Sequence, residues 1–294
     1  MFATWPIIGK IALRSLPSTA LVAVRVCGAA IVLQGLRVAW GGQRVERGDY
    51  ARLALYSMLG VVLNQLLYVK GLEYTTAINA ALFAVTIPVF ALLISVARRT
   101  DVLTWWKAAG VALAACGVLY LIDPWHGDLA GGTTLGNVLM VTNSVAYAAY
   151  VAISKDMFER YGATVALAWI FFFGALVTLP VGAYQLSQVA FGAFTWQIWA
   201  ALVYIILAPT VGAYFLNGWA LARVAPSTVA VYIYLQPLIA FAVAPLVLGE
   251  TWNSRTIVAT LLIFGGLALV TRKAKVQSQK SEGGKSKRRQ SADF

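Results

Sequence analysis

Charge, histidine and cysteine are all scarce in this chain of 294 residues: twelve per cent are charged, one is histidine and two are cysteine. One histidine leaves no material for a Ser/His/Asp or Cys/His arrangement or an HExxH motif. His126, in DPWHGD with Asp123 and Asp128, makes a poor metal site, because one imidazole and two loop carboxylates do not fix a coordination sphere; a solvated loop is the plainer reading. Cys27 and Cys116 fall in apolar runs, where a thiol behaves as a small hydrophobe and implies no disulfide framework. The one Gly-Lys-Ser, at 284–286, lacks the upstream glycine of a phosphate loop, so ATP-driven work has no support. All eleven acidic residues fall in connections, at span ends or in the tail. The mid-membrane carboxylate that proton-coupled carriers commonly rely on is therefore missing. No catalytic residue, metal or cofactor is expected.

What is abundant is apolar length. Sixty per cent of the residues are hydrophobic, more than one soluble core of this size buries, so the solvent is lipid. A spanning helix needs roughly 20 mainly apolar residues, and nine runs qualify, near 17–38, 50–71, 75–97, 103–122, 133–154, 162–184, 196–216, 226–248 and 255–271. A tenth, residues 1–13, is short for a span. With a cytoplasmic N-terminus and ten spans, eighteen basic residues fall on the inner side and four (Lys10, Arg14, Lys70, Arg255) on the outer. The positive-inside rule then places both termini in the cytoplasm of a bacterial-type inner membrane. The formal charge of +12 thus reports topology and not a nucleic-acid partner. The basic, Ser- and Gln-rich stretch 272–294 cannot bury enough apolar surface to fold and is expected to be a disordered cytoplasmic tail.

The chain also repeats itself. At a spacing of 149 residues, Pro88, Asp101 and Gly117 recur as Pro237, Glu250 and Gly266, dividing the chain into copies at 1–122 and 133–271 joined by an outer connection, 123–132. Five spans per copy require the copies to be inverted. The charges agree: the loop after the second span carries four arginines, whereas its counterpart, Tyr184 to Trp196, carries no charge. Matching Lys10 with Lys155 implies that the first copy's opening helix lacks about eleven residues relative to the second.

Arg25 is the one charge deep inside a span. An intramembrane arginine is costly and faces protein or water. It either holds a substrate carboxylate in a fork or serves structure, pairing with Glu73 or binding helix-end carbonyls. Polar and aromatic residues recur at helical spacing: Asn64 with Tyr68; Asn79, Phe83 and Thr86; Asn143, Tyr147 and Tyr150; Thr228, Tyr232 and Gln236. Each set makes one face, either lining a wet cavity or bonding between helices. Pro88 and Pro237 hold equivalent positions and kink their helices, for gating or for packing alone.

The stretches GLEYTTAINAALFAVTIPVFALLIS (71–95) and RVAPSTVAVYIYLQPLIAFAVAPLVLGE (223–250), with Gly117 and Gly266, resemble the EamA-type family of the drug/metabolite transporter superfamily. The resemblance covers nearly the whole chain. It implies an all-α polytopic membrane protein of ten transmembrane helices, the first one shortened, in two inverted five-helix repeats around a central cavity, exporting amino acids, related metabolites or drugs. From the eighth helix it adds Tyr214 and Asn217. The expected substrate-binding set is then Arg25 to orient an anionic group, amides at Asn64, Gln65, Asn79, Asn143 and Gln236, and aromatic walls from Trp5, Tyr68, Phe83, Tyr147, Trp169 and Tyr232, with Pro88 and Pro237 at the gates. The expected partners are a small-molecule substrate and the lipid bilayer. Competing readings are a non-transporting scaffold or lipid-binding protein, and an uptake carrier.

Overall fold

Pro17, with extended backbone (ψ 151°), stands immediately before the first long helix and lets its carbonyl accept from Leu21 N–H at 2.9 Å. Helix starts of this kind recur along a chain whose computed structural model describes residues 2–99, 102–123, 132–223 and 235–270. Every regular element among the described residues is helical. A short helix α1, Trp5–Leu13, is followed by α2, Ser18–Ala39; α3, Arg47–Tyr74; α4, Ala77–Ala97; and α5, Trp105–Ile122. The 55-residue run Thr133–Ser187 comes next. After it stand α8, Trp196–Leu221, α9, Leu235–Leu248, and α10, Ser254–Val270. By length and composition the four helices α2 to α5, the run Thr133–Ser187 and α8 suffice to cross a membrane, while α9 and α10 are shorter apolar helices.

A straight helix of that 55-residue length would measure roughly 80 Å against a hydrocarbon core of about 30 Å. Gly162 resolves the mismatch. Its backbone leaves the helical region (φ 72°, ψ 167°), a conformation that glycine adopts without steric cost, and divides the run into α6 (133–161) and α7 (163–187). The expected loop after residue 154 is instead helix up to this break. Lys155–Tyr161 is made of residues that tolerate helix well, and Lys155 pairs with Glu159 at 3.4 Å one turn along.

Solvent preference is inverted relative to a soluble protein. Leu246 is 86% exposed and Ile31 74%, whereas Arg25, Gln65, Asn143 and Thr210 are buried. Apolar groups outside and polar groups within fit a lipid environment. Trp40, Trp105, Trp196 and Trp252, all exposed, stand at or just beyond helix ends, where amphipathic rings meet a membrane–water interface.

Packing places α2 and α3 against the run α6–α7, and α9 against α1 and the first half of α4. At one end of the bundle Arg160 pairs with Glu46 at 2.5 Å and Asp49 at 2.6 Å, and Arg52 pairs with Asp156, tying the α2–α3 connection to α6. At the other, Asn137 at the start of α6 donates to the Leu121 carbonyl of α5 at 3.1 Å and accepts from Thr75 at 2.5 Å. Outside the central group, α5 and α10 meet backbone to backbone: a Cβ on Gly266 would stand 2.4 Å from the Gly110 carbonyl oxygen. Only glycine permits that approach.

Candidate functional site

Three interruptions in helical hydrogen bonding converge at mid-bundle. α3 and α8 each contain a π-helical turn, Met58–Leu63 and Ile206–Gly212. Such turns displace carbonyls from the regular ladder and collect at functional sites. α4 is interrupted at Val85 and Thr86, whose N–H groups bond three residues back. Pro88, at the second position of the helix that restarts at Ile87, has no N–H to offer the Ala84 carbonyl. The expected kink at Pro88 is therefore a local break one turn before it. Pro237 lies buried near the start of α9.

These breaks surround a cavity of about 60 Å³ lined by Trp5, Arg25, Asn64, Gln65, Tyr68, Ala84, Ile87, Asn143, Tyr147, Tyr214 and Gln236. Arg25 organises it. Its Nε donates to Thr210 Oγ1 at 2.5 Å, its Nη1 to Gln65 Oε1 at 2.5 Å, and its Nη2 reaches the π-turn carbonyl of Pro209 at 3.5 Å. The guanidinium lies 3.9 Å from the centre of the Trp5 ring, a cation–π contact, and Trp5 stacks on Tyr68 at 5.8 Å. Among the described residues no carboxylate stands within ion-pair distance of Arg25. Glu73, one of the structural partners considered for it, is paired with Lys70 at 2.9 Å. The helix-carbonyl alternative is realised at Pro209, yet the positive charge has no counter-ion among the described residues.

A chain of amides and one phenol continues from Gln65. Its Nε2 donates to Tyr214 Oη at 2.8 Å and lies 3.2 Å from Asn64 Oδ1, and Asn64 Nδ2 donates to Asn143 Oδ1 at 2.7 Å. Tyr214 Oη stands 3.0 Å from the Gly60 carbonyl and 2.9 Å from Asn64 Oδ1. With one proton it donates to one of these at a time. Tyr147 packs edge-on to Tyr214 at 6.2 Å, and its hydroxyl is buried with no hydrogen-bond partner. An orphaned hydroxyl in a cavity wall is a place for a solute atom or a water.

Of the residues expected from sequence, Trp5, Arg25, Asn64, Gln65, Tyr68, Asn143, Tyr147, Tyr214 and Gln236 meet here. Four lie elsewhere. Asn79 joins Thr75 and Asn137 at the α3–α4 corner, at 3.3 and 3.5 Å. Phe83 is fully buried, and its carbonyl accepts from Ser144 at 2.9 Å. Trp169 packs against Tyr50 at 4.8 Å and Phe173 at 6.0 Å, with Arg37 5.1 Å from its ring centre. Asn217 is half-buried on α8, off the cavity wall. Helical spacing put these on plausible faces, but among residues 77–84 of α4 only Ala84 lines the cavity. Tyr232 lies outside the described residues, as do His126, Asp128 and Thr228. Sequence reasoning missed Thr210, Ala84 and Ile87. Thr210 carried a signal, being a lone hydroxyl beside Pro209 in an apolar run.

A family model for the EamA-like transporter family matches residues 1–122 and 134–272. The chain belongs to the EamA-like transporter family. An uncharacterised transporter from Archaeoglobus fulgidus is 28% identical over 246 residues, covering 81% of this chain and 83% of its own. A probable terminal-alkyne amino-acid exporter from Streptantibioticus cattleyicolor is 26% identical over 239 residues, 79% of this chain and 77% of its own. Among solved structures, a crystal structure at 18% identity superposes with a TM-score of 0.64 over 93% of this chain and 94% of that chain, which shows a shared fold. The EamA-like protein is thus an integral membrane transporter with a small-molecule substrate, and transport, not a chemical step, is its family's activity.

Proposed function

We propose that this EamA-like protein exports a small amphipathic metabolite bearing a carboxylate, amino-acid-like in character, across the inner membrane by alternating access. The observation that carries the reading is the buried Arg25, without a counter-ion among the described residues, in the wall of a central cavity whose Tyr147 hydroxyl has no hydrogen-bond partner there. A buried charge without an opposite charge is expensive. An incoming carboxylate relieves the cost, using guanidinium N–H groups that Thr210, Gln65 and Pro209 leave unused. Trp5, Tyr68 and Tyr147 supply apolar walls. The amino-acid exporter named among the relatives supports both the cargo class and the direction.

Alternating access follows from two inverted five-helix repeats, 1–122 and 133–271, linked by 123–132 and followed by a cytoplasmic tail, 272–294. Symmetry-like contacts support this division. Gln65 and Tyr214, 149 residues apart, hydrogen-bond to each other at 2.8 Å. Gly117 faces Ala259 as Gly266 faces Gly110, and all four are 149-residue counterparts. Their reciprocity is that of a two-fold-related interface. At about 60 Å³ the cavity is well below the roughly 300–1,000 Å³ of ligand sites, so this is a contracted state that opens to admit cargo, with Pro88 and Pro237 at the yielding points. Both termini lie in the cytoplasm, putting the end of α1, the α3–α4 corner and the end of α9 on the outer face.

The test is flux into proteoliposomes for a panel of amino acids, nucleosides and cationic drugs, with and without a pH gradient. Saturable flux of carboxylate-bearing solutes, reduced at least about tenfold by Arg25→Gln, is expected; a tenfold loss matches roughly one charge-assisted hydrogen bond. Equal flux in wild type and Arg25→Gln would sink the site.

A further inference from the structure

A second recess, of about 380 Å³, lies where the end of α1, the α3–α4 corner and the end of α9 meet. Its volume falls in the range of small-ligand sites, and its wall carries charges of both signs, Lys10 and Arg14 from the end of α1 and Glu73 and Glu250 opposite. The acidic groups are engaged. Glu73 accepts from Lys70 at 2.9 Å. Glu250 accepts from the N–H groups of Ala77 at 2.7 Å and Ile78 at 3.1 Å, filling the α4 N-terminus, where an anion would otherwise settle.

The basic groups have no direct partner. Among the described residues, neither the Lys10 ammonium nor the Arg14 guanidinium has a carboxylate within 4 Å or a hydrogen-bond acceptor. They stand four residues apart at the end of one helix, an arrangement in which like charges repel; Lys10 feels the opposite charge of Glu250 first and the like charge of Arg14 after it. Lys10 is half-buried, so part of its hydration is lost without an ion pair in return.

We infer that this recess is a second anion site, separate from the Arg25 cavity, at which Lys10 and Arg14 hold the carboxylate of a small solute. The inference rests on the proposed function in one respect: the recess faces the outside only if the termini are cytoplasmic, and it then serves as the station from which an exported carboxylate departs. Glu250 contributes by blocking the α4 N-terminus, which leaves the two cations as the strongest attraction for an anion. Glu73 and Glu250 stand where they repel a second negative charge, which favours solutes with a single carboxylate.

The experiment is isothermal titration of the purified full-length protein in nanodiscs with phenylacetate, and with phenethylamine as a cation of the same ring. Wild type is expected to bind phenylacetate at two sites, Arg25→Gln to keep one of them, and the Lys10→Gln/Arg14→Gln double variant to lose that one, with affinity there at least tenfold weaker. Exchanging the cations, Lys10→Arg with Arg14→Lys, is expected to restore binding, which separates a charge requirement from a packing defect. Phenylacetate binding unchanged in the double variant, or phenethylamine binding as tightly as phenylacetate, overturns the inference. Absence of flux for every solute sinks the transport reading and leaves this site standing. Absence of any phenylacetate binding to a folded Arg25→Gln protein sinks this site and leaves the transport reading.

Discussion

Tyr147 separates two roles that a buried polar residue can play. If its hydroxyl belonged to the packing, removing it would break a bond, but that hydroxyl has no partner. Tyr147→Phe is expected to leave thermal stability unchanged or to raise it by up to about 1 kcal/mol, because an unsatisfied buried group is removed. The same change is expected to raise the KM for transport several-fold, as a solute loses one hydrogen bond. A fall in melting temperature with unaltered KM would assign the hydroxyl to structure. Arg25 was legible as an intramembrane charge, and its cost was foreseen from sequence. Its partners were not. Thr210 and Gln65 are 185 and 40 residues away along the chain, and no periodicity within one helix brings them to α2.

At the scale of elements, the α5–α10 contact gives a sharp test because adjacent glycines differ. A Cβ on Gly266 would meet the Gly110 carbonyl oxygen at 2.4 Å and Ala114 N at 2.6 Å, whereas one on Gly265 meets nothing closer than a Leu113 methyl at 3.3 Å. Backbone cannot step aside as a side-chain end can. Gly266→Ala is therefore expected to cost about 1–3 kcal/mol and Gly265→Ala well under 1 kcal/mol, read by thermal unfolding in detergent. Equal shifts would show that the close approach is not maintained. The 149-residue spacing marked Gly266 in advance. The π turns were invisible, because a π turn follows from how neighbours pack on a helix and not from a residue pattern. The break in α4 was anticipated at Pro88, but the place of Asn79 was not: Thr76 caps the start of α4 through Asn79 N–H at 3.0 Å, and the Asn79 side chain turns to Thr75 and Asn137.

At the scale of the whole molecule, Glu250 is a long-range link, joining the end of α9 to the start of α4 through two backbone hydrogen bonds. Removing it leaves two helix-end N–H groups without a partner. Glu250→Ala is expected to lower stability by about 1 kcal/mol, the scale of a lost N-cap, and to speed thiol labelling of a Leu13→Cys reporter in the adjacent recess. Glu250→Gln keeps an acceptor and is expected to fall between wild type and Glu250→Ala. Labelling at the wild-type rate in Glu250→Ala would show that this link does not hold the face closed.

Composition alone determined that the chain lives in lipid and is helical, since no other solvent accepts so much apolar surface and a single segment satisfies its backbone there only as a helix. The recurrence of Pro88, Asp101 and Gly117 at 149 residues was also readable in the sequence. Tertiary structure decided which polar residues share a cavity. Apolar periodicity tells a helix's inner face from its outer one, but in lipid the inner face includes both cavity lining and helix contacts, and the two differ only in what stands opposite. That is why Asn64 and Asn79, alike in sequence terms, part company, one beside Arg25 and the other in a structural corner with Asn137.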